Sequence, residues 1–243
     1  MTELVVVTPA YNCAQYIEQT IKSIYAQSYD NWRMVIIDDV STDGTGEICL
    51  KTAEQFGILD RLQVVRREEK YGETRNTIDV CKDISDDAVI VRVDGGDWIT
   101  DLDCFYFLDH VYRNANDPAV VWTGHRWAFT GTSISGPLDP SLSPYQQPWK
   151  SSHLKTFRRN SMNGINPENY YGQDGEWITI ACDQAVFLPM LEKAWRQSRP
   201  NLYLDTCMYH YSIDLQDADL FTKPRSKQQK NSGEWIRERG YLV

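Results

Sequence analysis

Four short apolar runs, each except the last followed by a helical pattern, recur through the first hundred residues, and this alternation limits the fold more than any other feature. Leu4-Val5-Val6-Val7-Thr8 stops at Pro9 and is followed by apolar positions at 17, 20, 21, 24 and 25, the spacing of a helix with one buried face. Met34-Val35-Ile36-Ile37 ends in Asp38-Asp39, and Ser41-Thr42-Asp43-Gly44 opens a second helix reaching about Phe56. Leu62-Gln63-Val64-Val65 predicts a third strand, Gly72 to about Lys82 a third helix, and Ala88 to Val93 a fourth strand. Strands apolar at successive positions are covered on both faces. The pattern therefore predicts an α/β fold with a Rossmann-like, mostly parallel central sheet flanked by helices.

In such sheets ligands sit at the carboxyl ends of the strands. Those ends carry Thr8-Pro9-Ala10-Tyr11-Asn12, Asp38-Asp39 and Asp94-Gly95-Gly96-Asp97. Carboxylates so close repel one another unless something positive, such as a divalent metal, lies between them. Two acidic strand ends on one edge can divide the recognition of a nucleotide diphosphate. Asp38 or Asp39 would accept hydrogen bonds from a base or ribose, and Asp94 and Asp97 would hold ribose and a metal that neutralises the pyrophosphate. Ser41 or Thr42 serves as a helix cap in either case.

After about residue 100 the texture changes. Asp101 to Asn114 predicts a helix, Val120 through Phe129 a strand, and Gly131 to Trp149 a long Pro-, Ser- and Gly-rich loop with the character of a lid. His153 to Arg159 is expected to start a short helix whose His153, Lys155, Arg158 and Arg159 form a basic cluster, suited to donor phosphates or an anionic acceptor. A longer helix is expected from Cys182 to about Gln197, kinked or broken by Pro189. Apolar segments near Leu202 and from Met208 to Ile213 precede a polar tail from Gln216. His210 sits in a predicted strand, where it points opposite to Tyr209 and Tyr211.

Bulk properties narrow the function. With 25 basic against 34 acidic residues, a net charge of −9 disfavours a broad nucleic-acid footprint. The six cysteines form no C-x-x-C pair and lie in apolar segments, which predicts structural thiols in a reducing compartment. No stretch reaches the roughly 18 apolar residues of a membrane span, and the N-terminus lacks a signal pattern, so a cytoplasmic protein without an integral membrane segment is expected.

Taken in order, Thr8-Pro9-Ala10-Tyr11-Asn12, Val35-Ile36-Ile37-Asp38-Asp39-Val40-Ser41-Thr42-Asp43-Gly44-Thr45, Gly72-Glu73-Thr74-Arg75-Asn76 and Val93-Asp94-Gly95-Gly96-Asp97-Trp98 resemble the signature of the family 2 glycosyltransferases with the GT-A fold. The likeness is greatest over residues 4 to 100. It implies transfer of a sugar from a nucleotide-diphosphate donor, most often a UDP-sugar, with inversion at the anomeric carbon and assistance from Mn²⁺ or Mg²⁺. The acceptor would be a glycan, a lipid-linked sugar or another hydroxyl compound. Residues 1–100 would form the donor-binding part, and residues 101–243 the acceptor-binding and catalytic part of the same domain.

By this resemblance Pro9, Tyr11 and Asn12 lie beside the base, Asp39 or Asp38 reads uracil, and Asp94 and Gly95 touch the donor. Arg75 would meet the diphosphate or orient Asp94. Asp94 and Asp97 would hold the metal, with His210 as a further candidate ligand. The family pattern is Asp-x-Asp followed by another Asp, and here the third position is Gly96, which removes one carboxylate. An inverting transfer also needs a general base, and Asp183 in Cys182-Asp183-Gln184-Ala185 matches that position, with Cys182 where Glu is common. A helix N-terminus favours its ionised form. Asp174 and Glu176 are the fallback acids. His153, Lys155, Arg158 and Trp177 are expected to serve acceptor or phosphate, with Trp98, Trp122, Trp127 and Trp149 as core or lid residues. A nucleotide-sugar-binding protein without turnover is one alternative. A nucleotidyltransferase is another, although Thr8 to Asn12 lacks the Gly-rich phosphate loop that reaction calls for.

Overall fold

Residues that alternate along each strand enter two separate apolar layers. In β1 (Leu4–Ala10), Leu4 and Val6 pack into one layer while Val5 and Val7 pack into the other. This is why the run is apolar at every position. β2 (Trp32–Asp38), β3 (Leu62–Arg66) and β4 (Val89–Arg92) divide in the same way and run parallel to β1 in the order β3-β2-β1-β4. Between them lie α1 (Ile17–Tyr25), α2 (Thr45–Gln55) and α3 (Gly72–Cys81). Ile17, Ile21 and Ile24 of α1 pack on the Leu4 side, and Ile78 and Cys81 of α3 on the Val5 side. The structure, a computed structural model, describes residues 1–127, 133–212 and 223–243.

The second half extends the same sheet with mixed polarity. It contributes β5 (Trp98–Ile99), α4 (Cys104–Asn114), β6 (Val120–Trp127), β7 (Lys155–Arg158), α5 (Cys182–Arg196), β8 (Asn201–Tyr211) and α6 (Lys223–Arg239). The eight strands are ordered β3-β2-β1-β4-β7-β6-β8-β5. β7 is antiparallel to both β4 and β6, β8 is parallel to β6, and β5 closes the edge antiparallel to β8. α4 covers the Leu4 layer through Phe105 and Leu108, and α5 covers the Val5 layer through Val186, Phe187, Met190 and Leu191.

Three expectations are corrected. The segment His153–Arg159 is not a helix: Lys155–Arg158 is a buried strand in the slot between β4 and β6, where sheet pairing overrides local preference. Pro189 does not end α5, which runs unbroken from Cys182 to Arg196 with Pro189 buried in its middle. The described part of the long loop is tied down rather than lid-like. Ser143 Oγ donates to Glu192 of α5 (2.6 Å), Trp195 Nε1 to the Pro140 carbonyl (2.9 Å), and Trp122 Nε1 to the Gly136 carbonyl (3.0 Å). Its first residues, Gly131 and Thr132, lie outside the described residues, as do Phe129 of the expected strand, Ile213, and the tail up to residue 222. From Lys223 that tail is helix α6. None of the six cysteines is paired, and among the described residues no helix is long and apolar enough to cross a membrane.

Candidate active site

The order of the sheet reverses between β1 and β4, and there the carboxyl ends of neighbouring strands diverge into a crevice. Because β7 runs against β4, its beginning lies beside the end of β4, with Arg92 directly opposite Lys155. β6 and β8 point the same way as β4, so His125, Tyr209 and Tyr211 arrive at that edge too. Two helices begin beside it, α3 with Glu73 and α5 with Asp183.

On the β2 side, carboxylates are held by backbone amides. Tyr71 and Gly72 N–H donate to the two oxygens of Asp39 (2.8 and 2.9 Å), so this side chain is clamped by the start of α3. Asp38 accepts from Ser41 N–H (3.0 Å). Contrary to expectation neither Ser41 nor Thr42 caps α2: Gly44 stands at its N-cap in the left-handed region, and Thr45 N–H donates to Asp43 (3.0 Å). Asn12, at φ 49°, accepts from Thr42 N–H (2.8 Å) and donates its own N–H to Ser41 Oγ (3.0 Å), locking the loop after β1 to the loop after β2. Pro9 lies in β1, paired with Ile37, and exposed Tyr11 carries Lys70 Nζ 3.2 Å over its ring. Arg75 does not reach Asp94. Its guanidinium lies 3.4 Å over the Tyr71 ring and 3.6 Å from Asp79.

The acidic turn after β4 is built by its two glycines. A Cβ on Gly95 would stand 3.0 Å from Ala10 Cα, Cys13 Sγ and the Pro9 carbonyl oxygen, so only glycine lets the turn lie against the end of β1. Gly96 has φ 104°, which L side chains rarely adopt, and the missing third carboxylate is tied to that backbone shape. The turn aims Asp97 inward, where it is almost fully buried. It accepts from Tyr209 Oη (2.8 Å), Ser212 N–H (2.9 Å) and Ser212 Oγ (2.9 Å). Burial and the neighbouring Asp94 push the Asp97 carboxyl up to about 8 despite these donors.

On the β4–β7 side the acids are held by buried cations. Along the Val5 face of β4 and β7, Ile90 and Phe157 are apolar, and the next positions toward the crevice are Arg92 and Lys155. Like charges opposite one another destabilise a ladder. Here Arg92 donates to both Glu73 and Asp94 (2.6 Å each), and Lys155, fully buried, pairs with Asp183. Burial would raise the Asp183 carboxyl, but Lys155, then His153 and Arg92, hold it down at about 2. Glu73 goes the other way. Burial, opposed by Arg92 but joined by Asp94 and Asp183, lifts it to about 7.

His153 is buried, stacks on Tyr209 and Tyr211 with centroids 5.0 and 4.7 Å away, and stands 3.8 Å from Asp94. Among the described residues its Nδ1 makes no hydrogen bond, and burial with Lys155 nearby lowers its pKa to about 3. Asp94, Asp97 and His153 each offer one ligand atom, all within 4.8 Å of one another. Two carboxylates and a neutral imidazole with an unspent buried lone pair fit a divalent cation.

Other expected residues lie elsewhere. His210 alternates to the opposite face of β8 and stacks on Trp98, with centroids 4.1 Å apart; the histidine beside Asp94 and Asp97 is His153. Arg158 turns to Asp117 (3.1 Å) and Arg159 to Asp86, because a strand sends alternate side chains apart and dissolves the cluster a helix would have made. Trp177 stacks on Tyr170 and lines a cavity at the mouth of α5, and Asp174 and Glu176 are exposed in the loop before it. Arg92, Glu73, Tyr209 and Ser212 carry no expected role. A lone arginine inside Val89–Val93 is the one signal in the sequence that a charge was being buried there.

Residues 5–171 match the sequence profile described as Glycosyl transferase family 2. Glycosyltransferase GlyG of Streptococcus pneumoniae is 39% identical over 74 residues, 30% of this chain and 23% of that protein. The first three curated relatives are matched over only 23% to 32% of their own length. Among solved structures, S. aureus TarS residues 1–349 in complex with UDP-GlcNAc aligns at TM-score 0.67 and 16% identity, covering 100% of this chain and 68% of that one. Mannosyltransferase PcManGT from Pyrobaculum calidifontis, in complex with GDP-Man and Mn²⁺, aligns at TM-score 0.59 and 15% identity over 96% and 69% of the two chains. These structures share the fold, a GT-A sheet.

Proposed function

Because the chain belongs to glycosyl transferase family 2, we propose that it moves a sugar from a UDP-sugar to an acceptor hydroxyl with inversion at the anomeric carbon. The observation that carries this reading is the presence of Asp94 and the ionised Asp183 at one sheet edge, each neutralised by its own buried cation. Asp39, clamped to the start of α3, would read the base. The UDP-GlcNAc bound by TarS supports a uridine donor. Residues 1–100 would hold the nucleotide and residues from 101 onward the acceptor, with His153 and Lys155 reaching back to the donor.

In the transfer, the acceptor oxygen bonds to the anomeric carbon as the bond from that carbon to the diphosphate oxygen breaks. The acceptor proton passes to an Asp183 oxygen, and the leaving electron pair stays on the diphosphate. Asp183 is present as its base form throughout the neutral range, since its pKa is held near about 2. Arg92 and Lys155 place positive charge near the leaving group. Asp94, Asp97 and His153 would hold a divalent ion that neutralises the diphosphate, and two oxygens with one imidazole nitrogen suit Mn²⁺ better than Mg²⁺. The Mn²⁺ in PcManGT supports that choice.

A thermal-shift screen of UDP-, GDP- and dTDP-sugars with and without Mn²⁺ tests the reading. UDP-sugars are expected to raise the melting temperature, more so with Mn²⁺. Asp183→Asn is expected to keep the donor-induced shift while turnover falls by about 10²- to 10⁴-fold. No response to any nucleotide would sink the donor site, and undiminished turnover would remove Asp183 as the base.

A further inference from the structure

A cavity of about 490 Å³ opens between the loop that leads into α5 and the last turns of α6. Its size falls in the ~300–1,000 Å³ range of small-ligand sites. Trp177 enters it from the loop and Trp235 from α6, over a floor of Ile178 and Ile236, while Asp174 and Asn231 add polar groups. Both indoles are braced from outside the cavity. Trp177 stacks on Tyr170 and leans on Tyr171, and Arg239 lies 4.8 Å over Trp235. The floor belongs to a small separate core of Tyr145, Ile178, Ala181, Ala185, Leu188 and Ile236, so the loop is anchored to the first turns of α5.

Its position ties the cavity to the site described above. Ile180, on the cavity wall, precedes Asp183 by three residues, a span of at most about 11 Å of chain. On the other side, a Cβ on Gly72 would stand 3.1 Å from Thr179, another wall residue, and the Gly72 amide is one of the two that clamp Asp39. The loop thus touches the start of both helices that frame the crevice.

Indole faces with amide and carboxylate groups around them match a hexose, which offers a patch of C–H groups on one face and a rim of hydroxyls. The cavity also has a charge preference. Among the described lining residues Asp174 is the one charged side chain. Arg239, which lies over Trp235, donates to the carbonyls of Glu168, Asn169 and Tyr171. We infer that this cavity binds an uncharged hexose unit of an acceptor glycan, one step along the chain from the reacting hydroxyl, and disfavours anionic sugars. The acceptor role rests on the glycosyltransferase reading; the sugar-binding role of the cavity does not.

The test titrates the full chain with cellotetraose, mannotetraose, N-acetylchitotetraose and tetragalacturonate, read by saturation-transfer NMR and calorimetry beside a UDP thermal shift. At least one neutral tetrasaccharide is expected to bind, with affinity weakened about fivefold or more in Trp177→Ala and in Trp235→Ala. Tetragalacturonate is expected to bind more weakly than that neutral sugar. Asp174→Asn, which removes the charge and keeps the oxygen that accepts from Glu176 N–H (3.1 Å), should narrow that order. If UDP still shifts the melting temperature but no neutral tetrasaccharide binds, the cavity inference fails and the donor reading stands. Tetrasaccharide binding without any UDP response has the opposite meaning. Binding that is unaffected by both tryptophan changes in folded variants, or wild-type preference for tetragalacturonate, also overturns the inference.

Discussion

The two sides of the crevice neutralise their acids by different means. On the β2 side, Asp38 and Asp39 are held by backbone N–H groups of turns and a helix start. On the β4–β7 side, Asp94 and Asp183 are held by the side chains of Arg92 and Lys155, which are almost fully buried. An amide dipole remains satisfied if its acceptor becomes a neutral amide oxygen, whereas a buried cation removed from a carboxylate leaves an uncompensated charge. The first side is therefore built to tolerate change in its acids. The second is rigid and depends on every member.

Lys155→Met should give the largest effect. It leaves Asp183 beside buried surface without its cation, and a loss of about 3–5 kcal/mol in denaturant unfolding is expected. The double change Lys155→Met with Asp183→Asn should be markedly less destabilised than the single one. Equal losses would mean that the pair is not coupled and that the contrast between the two sides is false.

A pH series on the metal-free protein is expected to show an intermediate effect. Glu73 and Asp97, lifted to about 7 and about 8, keep protons in the folded state that unfolded carboxyls near ~4 have already released. The folded state thus holds more protons, and its stability falls as pH rises toward 8. Below about 6.5 the buried His125 and His153, lowered to about 4 and about 3, work in the opposite sense, because unfolded imidazoles take up protons that the folded ones refuse. Melting temperature should therefore decline between about pH 6.5 and 8, with a shallower decline in Glu73→Gln. A rise over that window would contradict the buried-acid description.

Asp39→Asn should give the smallest change in stability. One amide clamp is retained, so unfolding free energy should move by only about 1 kcal/mol, while UDP affinity drops about tenfold through the lost charged acceptor. A destabilisation matching that of Lys155→Met would erase the distinction between dipole-held and cation-held acids.

The ease of reading each side from sequence follows the same division. Carboxylates placed by a strand end and the turn after it are local features. Asp38-Asp39 before Ser41-Thr42, and Asp94 before two glycines, stand where the run of apolar residues stops. Lys155 and His153 were visible as basic residues, but their spacing suggested a helix. Their roles depend on β7 slipping antiparallel between β4 and β6, a pairing made across more than sixty residues of chain with β4. His210 and His153 could not be ranked as neighbours of Asp97 for the same reason, since either reaches it only through a choice of strand partner.

By itself the sequence determined the parallel βαβ half, the two apolar layers and the acids at their strand ends, because strand and helix periods and turn residues act over a few positions. Tertiary structure decided which cation meets which acid, which histidine joins Asp94 and Asp97, and where Trp177 and Trp235 enclose a cavity. Those outcomes follow from pairing between distant segments, and the low dielectric of the buried crevice is what turns such neighbours into chemistry.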